Sequence, residues 1–239
     1  MQPQIDRLQM KRDAKEVMWK HQPSVYLVAL VYLLVSYLLT LLSTRLMYPQ
    51  AQIEALLRAG TDAEWYQALL ALSQQSAGAR LLNIAIEIMS AMLGVGFTSF
   101  CLNAARGVAA GFGSLFDAFE NFVHLLLLMI LIGVFVFLWS LLLVVPGIIA
   151  AYRYSMAVYI MLDNPDKGAL ECIRESKHLT YGHKGELFFL DLTFIGWYLL
   201  AAIPFVSVYV EPYVRLTKSN YYRVLSGRWD APEHVDVTV

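Results

Sequence analysis

Charged residues are scarce in this chain of 239 residues, at 15% of the total against roughly 25% in an ordinary soluble domain. Its two cysteines, Cys101 and Cys172, have no CxxC or metal-type spacing, so neither a disulfide framework nor a cysteine metal site is indicated. The net charge of −1 provides no overall field for nucleic acid. Motifs for dinucleotide, nucleoside triphosphate, zinc-protease and serine-hydrolase sites are absent. We therefore predict no enzyme activity, no cofactor, no metal and no nucleic-acid partner.

Hydrophobic residues make up 58% of the chain and fall into long blocks. A helix needs about 20 apolar residues to cross a bilayer, and several blocks approach that length. We predict an all-α, polytopic transmembrane helical bundle with interfacial amphipathic helices, forming one domain over residues 23–225. Its six predicted spans are residues 25–42, 81–105, 122–145, 147–162, 187–204 and 205–225.

Four further segments flank or join these spans. Residues 1–22 form a basic amphipathic segment, which either lies on an anionic inner leaflet or is a short solvated helix. Residues 44–80 are predicted to form an outer helical hairpin, as packing cover or as a lid. Residues 165–180 are predicted to form a cytoplasmic interfacial helix, with a helix cap and an N-terminal proline supplied by residues 163–165. Residues 226–239 are predicted to be a cytoplasmic tail.

Two of the predicted spans have alternative interpretations. Pro146 and Gly147 interrupt an apolar run, which predicts a tight reversal or a single kinked helix. The run of some forty residues is too long for one crossing, which favours the reversal. Residues 205–225 are only half apolar and contain Glu211, Arg215 and Lys218, so they form either a sixth span buried by its neighbours or a surface helix.

The distribution of Lys and Arg predicts the orientation. Residues 1–22 contain five of them, residues 163–185 contain four, and the 37-residue loop 44–80 contains three. Because cytoplasmic loops are enriched in Lys and Arg, we expect the N-terminus and the 163–185 loop in the cytoplasm. Six spans then place the C-terminus there too.

Charged residues inside predicted spans are costly, at roughly 2.5–3.5 kcal/mol on insertion scales, and are functional candidates for that reason. Glu87 and Arg153 are predicted at similar depths in spans two and four, so we expect an intramembrane pair, serving helix packing or a polar pocket. Towards the inner interface, His183, Lys184 and Asp191 are predicted to form a polar cluster.

Small residues recur every four positions in two spans, a spacing that lets another helix approach closely. These predicted packing positions are Ser90, Gly94 and Thr98 in span two, and Gly147, Ala151 and Ser155 around span four.

Several blocks resemble a known family. They are the Trp139–Ile149 stretch, Tyr154–Ala157, Asp163–Pro165, Ser176–Lys177, Gly182–Lys184 and the block from Leu187 to Trp197. Together they resemble the bacterial family of integral membrane proteins called domain of unknown function 975. The resemblance implies a protein of the bacterial cytoplasmic membrane without an assigned activity.

We expect a non-enzymatic membrane component that binds membrane lipids or another membrane protein. The alternative is a small transporter or permease with a polar pocket around Glu87 and Arg153. The oligomeric state is not predicted.

Overall fold

The computed structural model describes residues 6–21, 23–74, 76–201 and 203–227, which are helical and contain no strand. The all-α prediction is confirmed. The helices are α1 (Arg7–Lys20), α2 (Val25–Met47), α3 (Gln50–Arg58), α4 (Asp62–Ser73), α5 (Ala77–Ala105), α6 (Asp117–Glu120), α7 (Phe122–Leu142), α8 (Val144–Tyr154), α9 (Ala157–Asp163), α10 (Ala169–Leu179), α11 (Lys184–Leu192), α12 (Ile195–Leu200) and α13 (Pro204–Leu225). A 3₁₀ turn at Phe112–Phe116 precedes α6.

Four helical segments of the described chain are long and apolar enough to cross a membrane. They are α2, α5, α7 and the Val144–Asp163 segment made of α8 and α9. The first four predicted spans overlap these segments. The predicted fifth and sixth spans correspond to α11–α12 and α13, which fall outside this set because the former is broken into short helices and the latter contains charges.

The apolar helices expose much of their hydrophobic surface. Only 11% of the most apolar stretch of α7 is buried in the protein, and only 17% of that of α2. Leu141 and Leu142, near the end of α7, are 77% and 69% exposed. Such broad apolar faces are typical of helices solvated by lipid tails.

The packed core lies towards the opposite end of these helices. The C-terminal half of α5 is buried from Val95 to Leu102, and it packs against α2, α9 and α13. The C-terminal half of α13 is equally enclosed: Leu216, Thr217 and Tyr221 are fully buried. The C-terminal half of α13 is therefore buried by its neighbours, whereas Phe205 near its start is 87% exposed.

The reversal between α7 and α8 comes earlier than predicted. Leu143 alone links the two helices, in extended backbone (φ −164°, ψ 152°), and Pro146 lies in the first turn of α8. Proline is tolerated there because the first N–H groups of a helix have no intrahelical acceptor. Gly147 marks a close contact: a Cβ at this position would lie 2.1 Å from Ser140 Oγ. The glycine thus lets α8 pack tightly against α7.

The N-terminal helix α1 is docked on the protein. Its predicted apolar face packs mainly against α13 and includes Met10, Ala14 and Met18, each at most 1% exposed. Asn220 donates a hydrogen bond to the Met10 carbonyl (3.2 Å), and Lys11 donates one to the Thr193 hydroxyl (2.6 Å). Burial, followed by repulsion from nearby Lys15 and Arg7, lowers the pKa of Lys11. Protein contacts, rather than lipid or water alone, therefore cover this face.

The predicted cap of the 165–180 helix is wrong. The helix begins at Ala169 with Gly168 at its N-cap, and Asp163 instead ends α9. Ala169, Ile173 and Ser176 of this helix are buried. Within residues 44–80, α3 and α4 pack mainly against each other. Thr61 caps α4 by accepting a hydrogen bond from the Glu64 N–H.

Candidate functional site: a charged cavity among the helices

A partly open cavity of about 350 Å³ lies between α5, α7, α8, α9, α11 and α13. Its apolar wall is formed by residues such as Ala91, Val95, Met129 and Leu187, and its polar wall by Thr98, Tyr152, Ser155, Tyr159, Asp191, Arg215 and Lys218. Thr98 and Met129 each lie seven residues from the α5 and α7 ends at Ala105 and Phe122, about 10 Å along a helix. The cavity therefore lies about 10 Å in from the C-terminal end of α5 and the N-terminal end of α7.

Arg215 is the most extensively bonded side chain of the cavity wall. Its Nε donates to Glu211 (2.8 Å), one turn earlier on α13. Its Nη1 donates to the Gly94 carbonyl and the Thr98 hydroxyl, both at 2.6 Å, and its Nη2 donates to the Tyr32 hydroxyl at 3.2 Å.

Two aromatic rings flank the same guanidinium. Its carbon lies 5.4 Å from the ring centre of Tyr32 and 5.2 Å from that of Phe97. The two rings stack on each other with centroids 4.5 Å apart. Cation–π contacts with a desolvated Arg add to the electrostatic stabilisation of its charge, so this cation joins α2, α5 and α13.

A second ion pair lines the cavity between α11 and α13. Lys218 Nζ lies 2.9 Å from Asp191 Oδ1. The Tyr152 hydroxyl of α8 donates to Asp191 Oδ2 at 3.2 Å. About a quarter of the Asp191 side chain and a third of the Lys218 side chain remain exposed, which leaves both groups accessible from the cavity.

Glu87 and Arg153 are not brought within ion-pair distance of each other. Glu87 is exposed on α5 and accepts a hydrogen bond from the Ser43 hydroxyl at 3.2 Å. Arg153 lies half-buried on α8, and its backbone carbonyl accepts a hydrogen bond from Ser176 at 2.8 Å. Neither residue lines the 350 Å³ cavity.

The predicted inner cluster separates into two places. His183 is buried before α11, where its Nδ1 lies 3.3 Å from Glu186 Oε2. Lys184 Nζ lies 6.0 Å from the ring centre of Tyr181. Asp191 faces the cavity and Lys218 instead. Among the described residues, no group of three or more His, Cys, Asp or Glu side chains is arranged to hold a metal ion.

The predicted small-residue positions have different surroundings. Gly94 and Thr98 lie beside the Arg215 guanidinium, while Ser90 is half-buried one turn earlier. Ser155 lines the cavity and bonds to the Tyr152 carbonyl, and Ala151 is exposed. Small side chains on α5 thus make room for a guanidinium as well as for a helix.

A third polar cluster ties three helix ends together. Arg106, just after α5, lies 2.6 Å from the carboxylate of Asp163 at the end of α9. The Tyr222 hydroxyl of α13 donates to the same carboxylate at 2.7 Å. The Asp163 side chain is only 1% exposed. These bonds fix the ends of α5, α9 and α13 relative to one another.

Sequence reasoning missed the role of α13. Its charges were recognised but interpreted only as a lowering of hydropathy. The i,i+4 spacing of Glu211 and Arg215 was the available signal, since such pairs meet on a helix face. The other partners, Gly94, Thr98 and Tyr32, are 117 to 183 residues away and have no pattern that would link them to Arg215.

Comparison with known proteins gives one match. Residues 140–229 match the sequence model of the family described as "Protein of unknown function (DUF975)". No curated protein and no solved structure matches the chain significantly. The matched segment contains Asp191, Arg215 and Lys218, although not the α5 wall of the cavity. The resemblance predicted from the sequence is confirmed over residues 140–229, where the chain matches the DUF975 family.

Proposed function

We propose that this protein is a six-span, non-enzymatic component of the bacterial cytoplasmic membrane that binds membrane lipid in the cavity. The observation that carries the proposal is a partly open 350 Å³ space with an apolar wall and a charged wall, bordered by helices whose outer faces are broadly apolar. Ligand sites combine these features: apolar walls for most of the contact and a few polar groups for orientation.

The six-span topology is part of the proposal. Together α11 and α12 cover residues 184–200, about 25 Å of helix, and α13 covers about 33 Å. With the Lys- and Arg-rich segments inside, both termini lie in the cytoplasm. The charges of α13 are compatible with a span because Glu211 pairs with Arg215, Asp191 pairs with Lys218, and Arg223 lies in the last turn.

Single-cysteine labelling tests the topology. Cys101 and Cys172 are both buried, so a variant with both replaced by alanine is the background. A cysteine at Ala201, between α12 and α13, should react with a membrane-impermeant thiol reagent added outside. A cysteine at Ser226 should react only after the membrane is opened. Labelling of both from the same side would overturn the six-span arrangement in favour of a surface helix.

Native mass spectrometry tests lipid binding. The full chain is extracted in mild detergent, and lipids that remain bound after delipidation washes are identified. We expect a stoichiometric adduct that is lost when Ala91→Leu fills the cavity and kept in Ala151→Leu, since Ala151 is exposed on α8 away from the cavity lining. A wild-type protein without any retained lipid would refute the lipid-binding proposal.

A small transporter is the second candidate. It is favoured by the Asp191–Lys218 pair on the cavity wall and by the break between α8 and α9, since interrupted helices and buried charges often line transport pathways. Thiol labelling of Asp191→Cys separates the two functions. Reaction from both faces of the membrane supports transport, and reaction from one face or none supports binding alone.

A further inference from the structure

The cavity wall contains charges of both signs. Lys218 and Arg215 supply two cations, and Asp191 supplies one carboxylate. Glu211, which does not line the cavity, neutralises Arg215 from α13. The net charge of the four groups is therefore zero, although both positive and negative groups line the cavity. A ligand with a single net charge would leave that charge uncompensated in surroundings of low dielectric constant.

Hydrogen-bond donors remain uncommitted on the cationic side. An ammonium group has three N–H donors, and Asp191 is the one partner of Lys218 within the described part of the chain. Arg215 has five N–H donors, of which four have acceptors in Glu211, Gly94, Thr98 and Tyr32. Ammonium and guanidinium groups both bind phosphate oxygens well.

Asp191 provides the negative charge on the cavity wall. Asp191 Oδ1 faces Lys218, and Oδ2 accepts a hydrogen bond from Tyr152. Each carboxylate oxygen can accept about two hydrogen bonds, so Asp191 retains capacity for a ligand cation. It would repel a purely anionic ligand that approached Lys218.

We propose that the cavity binds a zwitterionic head group that contains a phosphate and an amine. Lys218, with the remaining Arg215 donor, binds the phosphate, and Asp191 binds the ammonium group. Such a ligand keeps the site neutral and uses both charged ends of the wall. The apolar side chains of Ala91, Val95 and Met129 contact the adjoining glycerol and first methylenes. The inference rests on the proposed lipid-binding function and specifies the ligand of the same cavity.

The test uses the full chain in detergent and three probes, titrated in native mass spectrometry. The probes are phosphatidylethanolamine, phosphatidylglycerol with the same acyl chains, and water-soluble phosphoethanolamine. We expect phosphatidylethanolamine to bind at least tenfold more tightly than phosphatidylglycerol. Asp191→Asn should abolish that preference by weakening the amine lipid alone. Lys218→Gln should weaken both lipids, because both contain phosphate.

Matched controls separate binding from folding. Lys20→Gln removes a lysine that forms an exposed pair with Glu16 outside the cavity, and it should leave every affinity unchanged. Ala91→Leu removes cavity space without removing a charge, and should reduce binding of both lipids. Because the wild type and these two variants keep Asp191 and Lys218, their relative affinities for the two lipids test the inference even if the charge variants do not fold.

The outcomes discriminate between the proposals. If phosphoethanolamine binds as tightly as phosphatidylethanolamine, the head-group chemistry is supported and the ligand is a water-soluble molecule rather than a lipid. Equal affinities for both lipids in the wild type, or a preference that survives Asp191→Asn, would overturn the zwitterion inference while leaving lipid binding intact. Failure of every lipid to bind refutes the function on which the inference rests.

Discussion

Replacing Arg215 by methionine breaks its ion pair with Glu211 and so measures how much that pair stabilises the helical bundle. The change keeps an unbranched side chain but removes the partner of the Glu211 carboxylate and the donors to Gly94 and Thr98. Removing one partner of a buried pair leaves an uncompensated charge and typically destabilises by about 3–5 kcal/mol. The Arg215 and Glu211 side chains are 22% and 32% exposed, so we expect the lower limit of about 3 kcal/mol.

The chain contains a natural control for this change. Glu54 and Arg58 form an ion pair with the same i,i+4 spacing on α3, where their side chains are 56% and 79% exposed. An exposed pair of this type contributes about 0.3–0.5 kcal/mol, so Arg58→Met should be almost neutral. A chain of this length changes its melting temperature by about 2–4 °C per kcal/mol. We therefore expect Arg215→Met to lower it by roughly 6–12 °C and Arg58→Met by no more than about 2 °C.

Scanning fluorimetry of the proteins in the same detergent, at one scan rate, measures these shifts. The double variant Glu211→Gln/Arg215→Met removes both charges and should be less destabilised than the sum of the two single variants. A melting temperature of Arg215→Met equal to that of the wild type would refute the assigned role of the pair. Strict additivity of the two single changes would refute their coupling.

Three other changes test separate contacts. Gly96→Ala places a Cβ 1.9 Å from the Leu115 carbonyl oxygen, and overpacking of this kind should destabilise by about 1–3 kcal/mol or more. The control Gly133→Ala, whose Cβ has no atom within 4 Å, should be neutral or stabilising. Equal melting temperatures of the two variants would contradict the close contact at Gly96. Asp163→Asn weakens the clamp formed with Arg106 and should lower the melting temperature by several degrees, whereas an unchanged value would show that the clamp adds no stability. Exchange of charge in Glu87→Arg/Arg153→Glu should not rescue expression lost in the single variants, and full rescue would indicate a direct pair that forms in the membrane.

The long apolar helices could be predicted from the sequence because hydrophobicity over some twenty residues is a local property. The helices α2, α5 and α7 overlap the predicted spans for this reason. The exact reversal at Leu143 could not be predicted in the same way, because proline is accepted both at a break and in a first helical turn. Gly147 was predicted as a packing position from its spacing, and its close neighbour Ser140 is visible only in three dimensions.

Polar partnerships were harder to predict, since they depend on which helices become neighbours. Asp163 precedes Asn164 and Pro165, a pattern typical of a helix cap, yet its carboxylate binds Arg106 and Tyr222 instead. Glu87 and Arg153 were paired on depth alone, and depth does not determine which face of a helix a residue occupies. Asp191 was recognised as a candidate, whereas its partner Lys218 was not.

The docking of α1 has a consequence for biosynthesis. Met10 and Asn220, which are joined by a hydrogen bond, are 210 residues apart in sequence. Helix α1 therefore receives its main binding surface only after α13 has been synthesised. Until then Met10, Ala14 and Met18 have no α13 to cover them. In chains stalled on the ribosome before residue 204, proteases should accordingly cleave the α1 segment readily. Once α13 has been synthesised, the same segment should resist cleavage.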